Sequence, residues 1–135
     1  MAAETCVPIR HESDIVAARR EGRALGAQLG FSSSELTVIA TAISEVARNI
    51  VVYAKTGEIQ LAIVEGADGR RCLKVIAKDQ GPGIANVERA MTDGYSTAGG
   101  LGLGLPGAKR MMDEFEIQSE VGKGTMVTMK KWARR

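Results

Sequence analysis

Aromatic side chains are scarce, at 4% of 135 residues, which argues against a groove that stacks nucleic-acid bases. Charge of either sign is nearly balanced: 18 lysines and arginines against 16 acidic residues give a formal +2. That bias is too slight to imply a nucleic-acid partner. The two cysteines, Cys6 and Cys72, lie far apart and match no C-x-x-C spacing, so zinc is disfavoured and reduced thiols in a cytoplasm are the simplest account. No apolar run approaches the roughly 20 residues needed to span a bilayer. Met1 to Arg10 has neither the charged nor the apolar part of a secretion signal. The expectation is a soluble cytoplasmic protein with no membrane partner. The single histidine, His11, precedes the first helical pattern and reads as a surface residue, and the basic ending from Lys130 to Arg135 reads as a solvated charge cluster.

What is present is an apolar content of 44%, enough for one core, in a chain of one-domain length. We expect a single domain over residues 1–135. Cys6 to Arg10 reads as a short edge strand. From Ser13, a plausible N-cap, Ile15, Val16, Arg19, Ala24, Leu25 and Leu29 recur at roughly helical spacing until Gly30 stops the run. Ser32, Ser33 or Ser34 caps a second and longer helix, Glu35 to Ala54. Glu58 to Glu65 and Arg71 to Asp79 alternate as a hairpin across Ala67-Asp68-Gly69. Asn86 to Met91 reads as a short helix and Thr92 to Gly104 as a glycine-rich loop, mobile when empty. A helix from Leu103 or Leu105 to Glu114 follows, then a second hairpin, Phe115 to Val121 and Thr125 to Lys131. This order fits an α/β fold, a two-layer α+β sandwich with a mixed, mostly antiparallel sheet and helices on one face.

Helix two is apolar almost all the way round, which marks a buried or pocket-lining element. Leu36, Ile39, Ile43, Val46 and Ile50 form one stripe, and Glu45 and Asn49 lie one turn apart on another face. A carboxylate and an amide among valines need partners, because burying them unpaired costs a few kcal/mol. A hydrated Mg²⁺ suits the amide oxygen, and a hydroxyl or water suits the carboxylate. Taken alone, E-x-x-x-N is also an ordinary polar pair on a helix. In the third strand, period two carries Leu73, Val75 and Ala77 to Asp79, so its carboxylate is expected on the core side. Gly81, Pro82 and Gly83 follow, a stiffened turn whose bare backbone allows close approach of a flat ligand such as adenine. A turn aspartate capping its own backbone reads equally well from D-x-G-x-G alone. The run from Gly99 to Gly107 opens a helix, where converging N–H groups and the helix dipole favour phosphate. Gly102, Gly104 and Gly107 satisfy G-x-G-x-x-G, but no strand precedes them, and no P-loop ending is present. Thr125 shares a face with Val127 and Met129, which points its hydroxyl inward.

These four segments, in this order, resemble the boxes of the GHKL (Bergerat-fold) family, which includes histidine kinases, gyrase-type ATPases and anti-sigma-factor serine kinases. The boxes are Glu45-Val46-Ala47-Arg48-Asn49, Asp79-Gln80-Gly81-Pro82-Gly83, Gly102-Leu103-Gly104-Leu105 and Gly124-Thr125. Within the family, the compact length and the stretch from Ala40 to Ile50 look most like the switch kinases of the stressosome. The resemblance implies ATP and Mg²⁺ as cofactors, with Asn49 on the metal and Asp79 on the adenine amine, assisted by Thr125. It implies a lid over the phosphates at Gly102, Leu103 and Gly104, and Glu45 as the base that receives the proton of an attacking serine. The implied partners are a STAS-domain protein phosphorylated on serine or threonine and a PP2C-type phosphatase activated by binding. The alternative is an anti-sigma factor or a regulator acting by contact alone. One departure is that related kinases carry an arginine shortly before the lid glycines, where Gly100 stands here. Arg48, Lys109 or Arg110 is then the candidate for the cation at the γ-phosphate.

Overall fold

The computed structural model describes residues 4–84, 91 and 104–134. The short helix expected at Asn86–Met91, the glycine-rich lid, and Gly100, Gly102 and Leu103 therefore lie outside the described residues, apart from Met91 and Gly104. The elements are β1 (Glu4–Ile9), α1 (Glu12–Gln28), α2 (Ser33–Asn49), a π turn (Ile50–Ala54), β2 (Gly57–Glu65), β3 (Arg71–Asp79), α3 (Gly104–Met111), β4 (Glu114–Glu120) and β5 (Gly124–Trp132). The strands form one sheet in the order β1-β2-β3-β5-β4. Each neighbouring pair is antiparallel, so the mixed sheet expected from the sequence is wholly antiparallel among the described residues. Both expected hairpins are present, and β5 lies between β3 and β4.

One face of the sheet carries the core. Ile59, Leu61 and Ile63 of β2, Leu73, Val75 and Ala77 of β3, and Val127 and Met129 of β5 are buried there against Ile39, Ile43, Val46 and Ile50 of α2. Each fully buried isoleucine or leucine stabilises the fold by about 1.5–3 kcal/mol. Ser33 to Ala54 runs unbroken for 22 residues and is long and apolar enough to cross a bilayer by length and composition, contrary to the sequence expectation. Half of that stretch is buried in this core, while Val52 and Tyr53 are exposed.

Helix α1 departs from the sequence reading in its contact face. The buried residues are Ile15, Ala18, Gly22, Leu25 and Gly26, while Val16 is exposed. A β-carbon at Gly22 would collide with Ile43 Cδ1, and one at Gly26 would lie 2.6 Å from Leu36 Cδ2. The two glycines thus form the seam that lets α1 and α2 approach, a pattern that an apolar count overlooks. The helix also starts two residues earlier than a Ser13 cap would allow, because the Asp14 carboxylate accepts the N–H groups of Arg10 and His11. It ends at Gly30 as expected: the Gly30 N–H bonds to Ala27 and the Phe31 N–H to Gly26, the paired closure that a left-handed glycine permits. Ser32 caps α2 by accepting the Glu35 N–H, and the Glu35 carboxylate accepts the Ser32 N–H in return.

Candidate active site

The first half of the site is built at the ends of β3 and β5. Alternation along β3 carries Asp79 to the inner face, and Thr125 is its partner in register on β5. Their exposures are 8% and 7%. Asp79 Oδ1 accepts the Gly81 N–H at 2.8 Å and the Thr125 N–H at 3.3 Å. Among the described residues neither bond falls on Oδ2, which keeps its acceptor capacity for a donor from outside the protein. Gly81 and Gly83 have packing reasons beyond the approach of a ligand. A β-carbon at Gly81 would lie 2.6 Å from the Ala54 β-carbon. At Gly83, where φ is +78°, it would strike the carbonyl of Glu120. Gly124 is held to glycine in the same way by the carbonyl of Asp79. The Gly122 N–H donates to the Pro82 carbonyl at 2.8 Å. The β4–β5 turn and the turn after Asp79 are therefore locked together, backbone to backbone.

Sequence reasoning missed Ser119. It faces Thr125 across the β4–β5 ladder, and its hydroxyl accepts the Ile84 N–H at 2.7 Å while lying 2.8 Å from Thr125 Oγ1. The signal was available, since pairing the last two strands about Gly122 sets residue 119 opposite 125.

The second half lies on α2. Glu45 is 7% exposed, although it is charged, and burial pushes its carboxyl above the usual range. Arg48, whose Nη1 is 3.9 Å from its Oε2, and the backbone N–H of Gly104 pull in the opposite direction. Gly104 opens α3 with φ +68°, and Leu105 and Ala108 bury that helix in the core. The start of the last helix is thus brought to the carboxylate of the second. Asn49 is half-buried one turn after Glu45, and its amide has no hydrogen bond among the described residues. The structure places Arg48 beside Glu45, whereas Lys109 is exposed on α3.

Between the halves stands an element that periodicity did not reveal. The expected α-helix to Ala54 becomes a π turn after Asn49, closed by the Lys55 N–H on the Ile50 carbonyl at 2.8 Å, with Lys55 at φ +74°. Such turns recur at functional sites. This one brings Ala54 against Gly81, so the helix bearing Glu45 and Asn49 is joined to the turn that fixes Asp79.

Among the described residues no cluster of three metal-ligating side chains exists. A lone amide oxygen suits Mg²⁺, which keeps waters and takes its remaining ligands from phosphate.

The histidine kinase-like ATPase domain, as a family pattern, matches residues 8–131. The chain belongs to this family. It is 52% identical over 135 residues to the serine/threonine-protein kinase RsbT of Bacillus subtilis (strain 168), covering 99% of this chain and all of that one. It is 34% identical over 123 residues to an anti-sigma F factor of Caldanaerobacter subterraneus, covering 87% and 85% of the two chains. The solved RsbU and RsbW domains of a Mycobacterium tuberculosis protein share the fold, with a TM-score of 0.63 at 22% identity over all of this chain and 33% of that one. At such identity over both full lengths, this ATPase-family chain is a serine/threonine protein kinase of the RsbT type. Its architecture is the α/β fold expected from the sequence.

Proposed function

We propose that this kinase acts as a partner switch: it phosphorylates a STAS-domain scaffold on serine or threonine and, once released, activates a PP2C-type phosphatase by binding. The observation that carries the reading is the buried Glu45 carboxylate with raised proton affinity, one turn from an amide with no hydrogen bond among the described residues. In the transfer, the acceptor hydroxyl attacks the γ-phosphorus of ATP, the bond to the β-phosphate oxygen breaks, and ADP leaves. Glu45 takes the hydroxyl proton, for which a raised carboxyl is better matched than an ordinary one. Asn49 would hold Mg²⁺, which supplies charge neutralisation between the phosphates. Asp79 Oδ2 accepts from the adenine amine, Thr125 stands beside it, and the turn containing Gly81 and Gly83 frames the base. The glycine run of Gly100, Gly102, Leu103 and Gly104 would serve as the lid over the phosphates, and Arg48 stands beside Glu45 as the candidate cation. The protein works in the cytoplasm, a setting in keeping with its two free thiols.

A second reading, an anti-sigma factor or a contact-only regulator, draws support from the 34% identity to an anti-sigma F factor. The 52% match to a kinase over the full length favours the first. Incubating the protein with labelled ATP, Mg²⁺ and a STAS-domain scaffold separates them. Label on the scaffold, lost in Asn49→Ala, is the expected result; nucleotide binding without transfer by the native protein would favour the contact-only regulator.

A further inference from the structure

Ser119 is a hydroxyl on an inner face that β4 otherwise fills with Phe115 and Ile117. Three groups compete for it: the Ile84 N–H at 2.7 Å, Thr125 Oγ1 at 2.8 Å and the Gly124 carbonyl at 3.2 Å. The Ile84 N–H can only donate, so it takes a lone pair. Ser119 has one proton left to give, and two oxygens to receive it. Given to Gly124, it obliges Thr125 to donate its own proton to Ser119, leaving only lone pairs for a ligand. Given to Thr125, at the shorter distance, it frees the threonine proton for a ligand acceptor.

The consequence falls on the base. Asp79 is an acceptor fixed by two backbone N–H groups through its other oxygen, and Thr125 is its register partner. An acceptor beside a donor matches adenine, whose amine donates and whose neighbouring ring nitrogen accepts. Guanine presents the reverse order at that edge. We propose that Ser119 is a positioning residue that sets the direction of the Thr125 hydroxyl and thereby makes the pocket select adenine over guanine nucleotides. This inference rests on the ATP-binding reading of the site.

The test uses the isosteric pair Ser119→Thr and Ser119→Val in the full chain, titrated by calorimetry with ATP and separately with GTP, each with Mg²⁺. The native protein and Ser119→Thr should prefer ATP. Ser119→Val should bind ATP about five- to tenfold more weakly and lose a similar factor of its ATP-over-GTP preference. A Val variant that keeps the native preference overturns the proposal even if both affinities fall, because a merely structural role lowers them together. Loss of preference in the Thr variant overturns it as well. If Ser119→Val does not fold, Ser119→Ala removes the oxygen without adding bulk and takes its place. Native protein that binds neither nucleotide sinks the ATP reading itself, an outcome distinct from unchanged selectivity.

Discussion

The strand-end half of the site and the helix half are built on opposite terms. At the ends of β3 and β5, backbone N–H groups hold one oxygen of Asp79, hydroxyls answer one another, and glycines allow direct backbone contact. On α2, a charged group is kept from water and a neighbouring amide has no hydrogen bond among the described residues. The difference teaches where recognition and chemistry separate. A fixed frame with one acceptor left open can read shape and donor pattern, whereas a reactive group must be held in an environment that does not fully suit its charge.

The sharpest break in that comparison is Glu45→Gln. Phosphoryl transfer should fall at least about 100-fold, the usual loss when a general base is removed, with ATP affinity near native. Stability should respond in the other direction. A carboxyl whose folded pKa is raised lends stability that is fully present below its unfolded pKa and lost as pH rises through the folded one. Above that window the buried charge is a cost, which glutamine removes. Thermal melts across pH should therefore show the variant gaining on the native protein as pH rises; a uniform loss of stability would contradict the assigned cause. In the native enzyme, transfer should decline as pH falls through the same raised carboxyl range, when Glu45 becomes protonated.

Next in size is Gly81→Ala, which tests the joint between the halves. A methyl group 2.6 Å from the Ala54 β-carbon should cost about 1–3 kcal/mol and weaken ATP binding. Ala54→Gly in the same chain should recover part of both losses, as expected for residues in contact. Strict additivity in a double-mutant cycle on denaturation free energies would show that the two do not meet.

The smallest effect lies away from both halves. Ser32→Ala removes the cap of α2 and should cost about 1 kcal/mol in chemical denaturation while leaving ATP affinity unchanged. A shift in affinity would mean that the start of α2 communicates with Asn49 at its end.

Much of this was legible in the sequence because it rests on period and order. Alternation set Asp79 and Thr125 inward, the turn residues marked both hairpins, and the serines at 32 to 34 marked the start of α2, where Ser32 is the cap. What escaped reading depends on contacts that a single strand of text does not contain. Gly22 and Gly26 carry meaning only beside the side chains that fill their space, Ile43 and Leu36. Ser119 gained meaning only beside Ile84 and Thr125. The π turn left no compositional trace, since isoleucine, valine, tyrosine and alanine serve an α-helix as well.

That wider turn acts as a phase shift between two gears. It absorbs one residue more than an α turn, so winding the same residues as a regular α-helix would advance Ala54 further round the axis and swing its methyl off Gly81. The helix bearing Glu45 and the turn after Asp79 would each survive with intact local structure, yet out of mesh. A chain wound in that way would keep its strands and helices and lose the contact between Ala54 and the turn after Asp79.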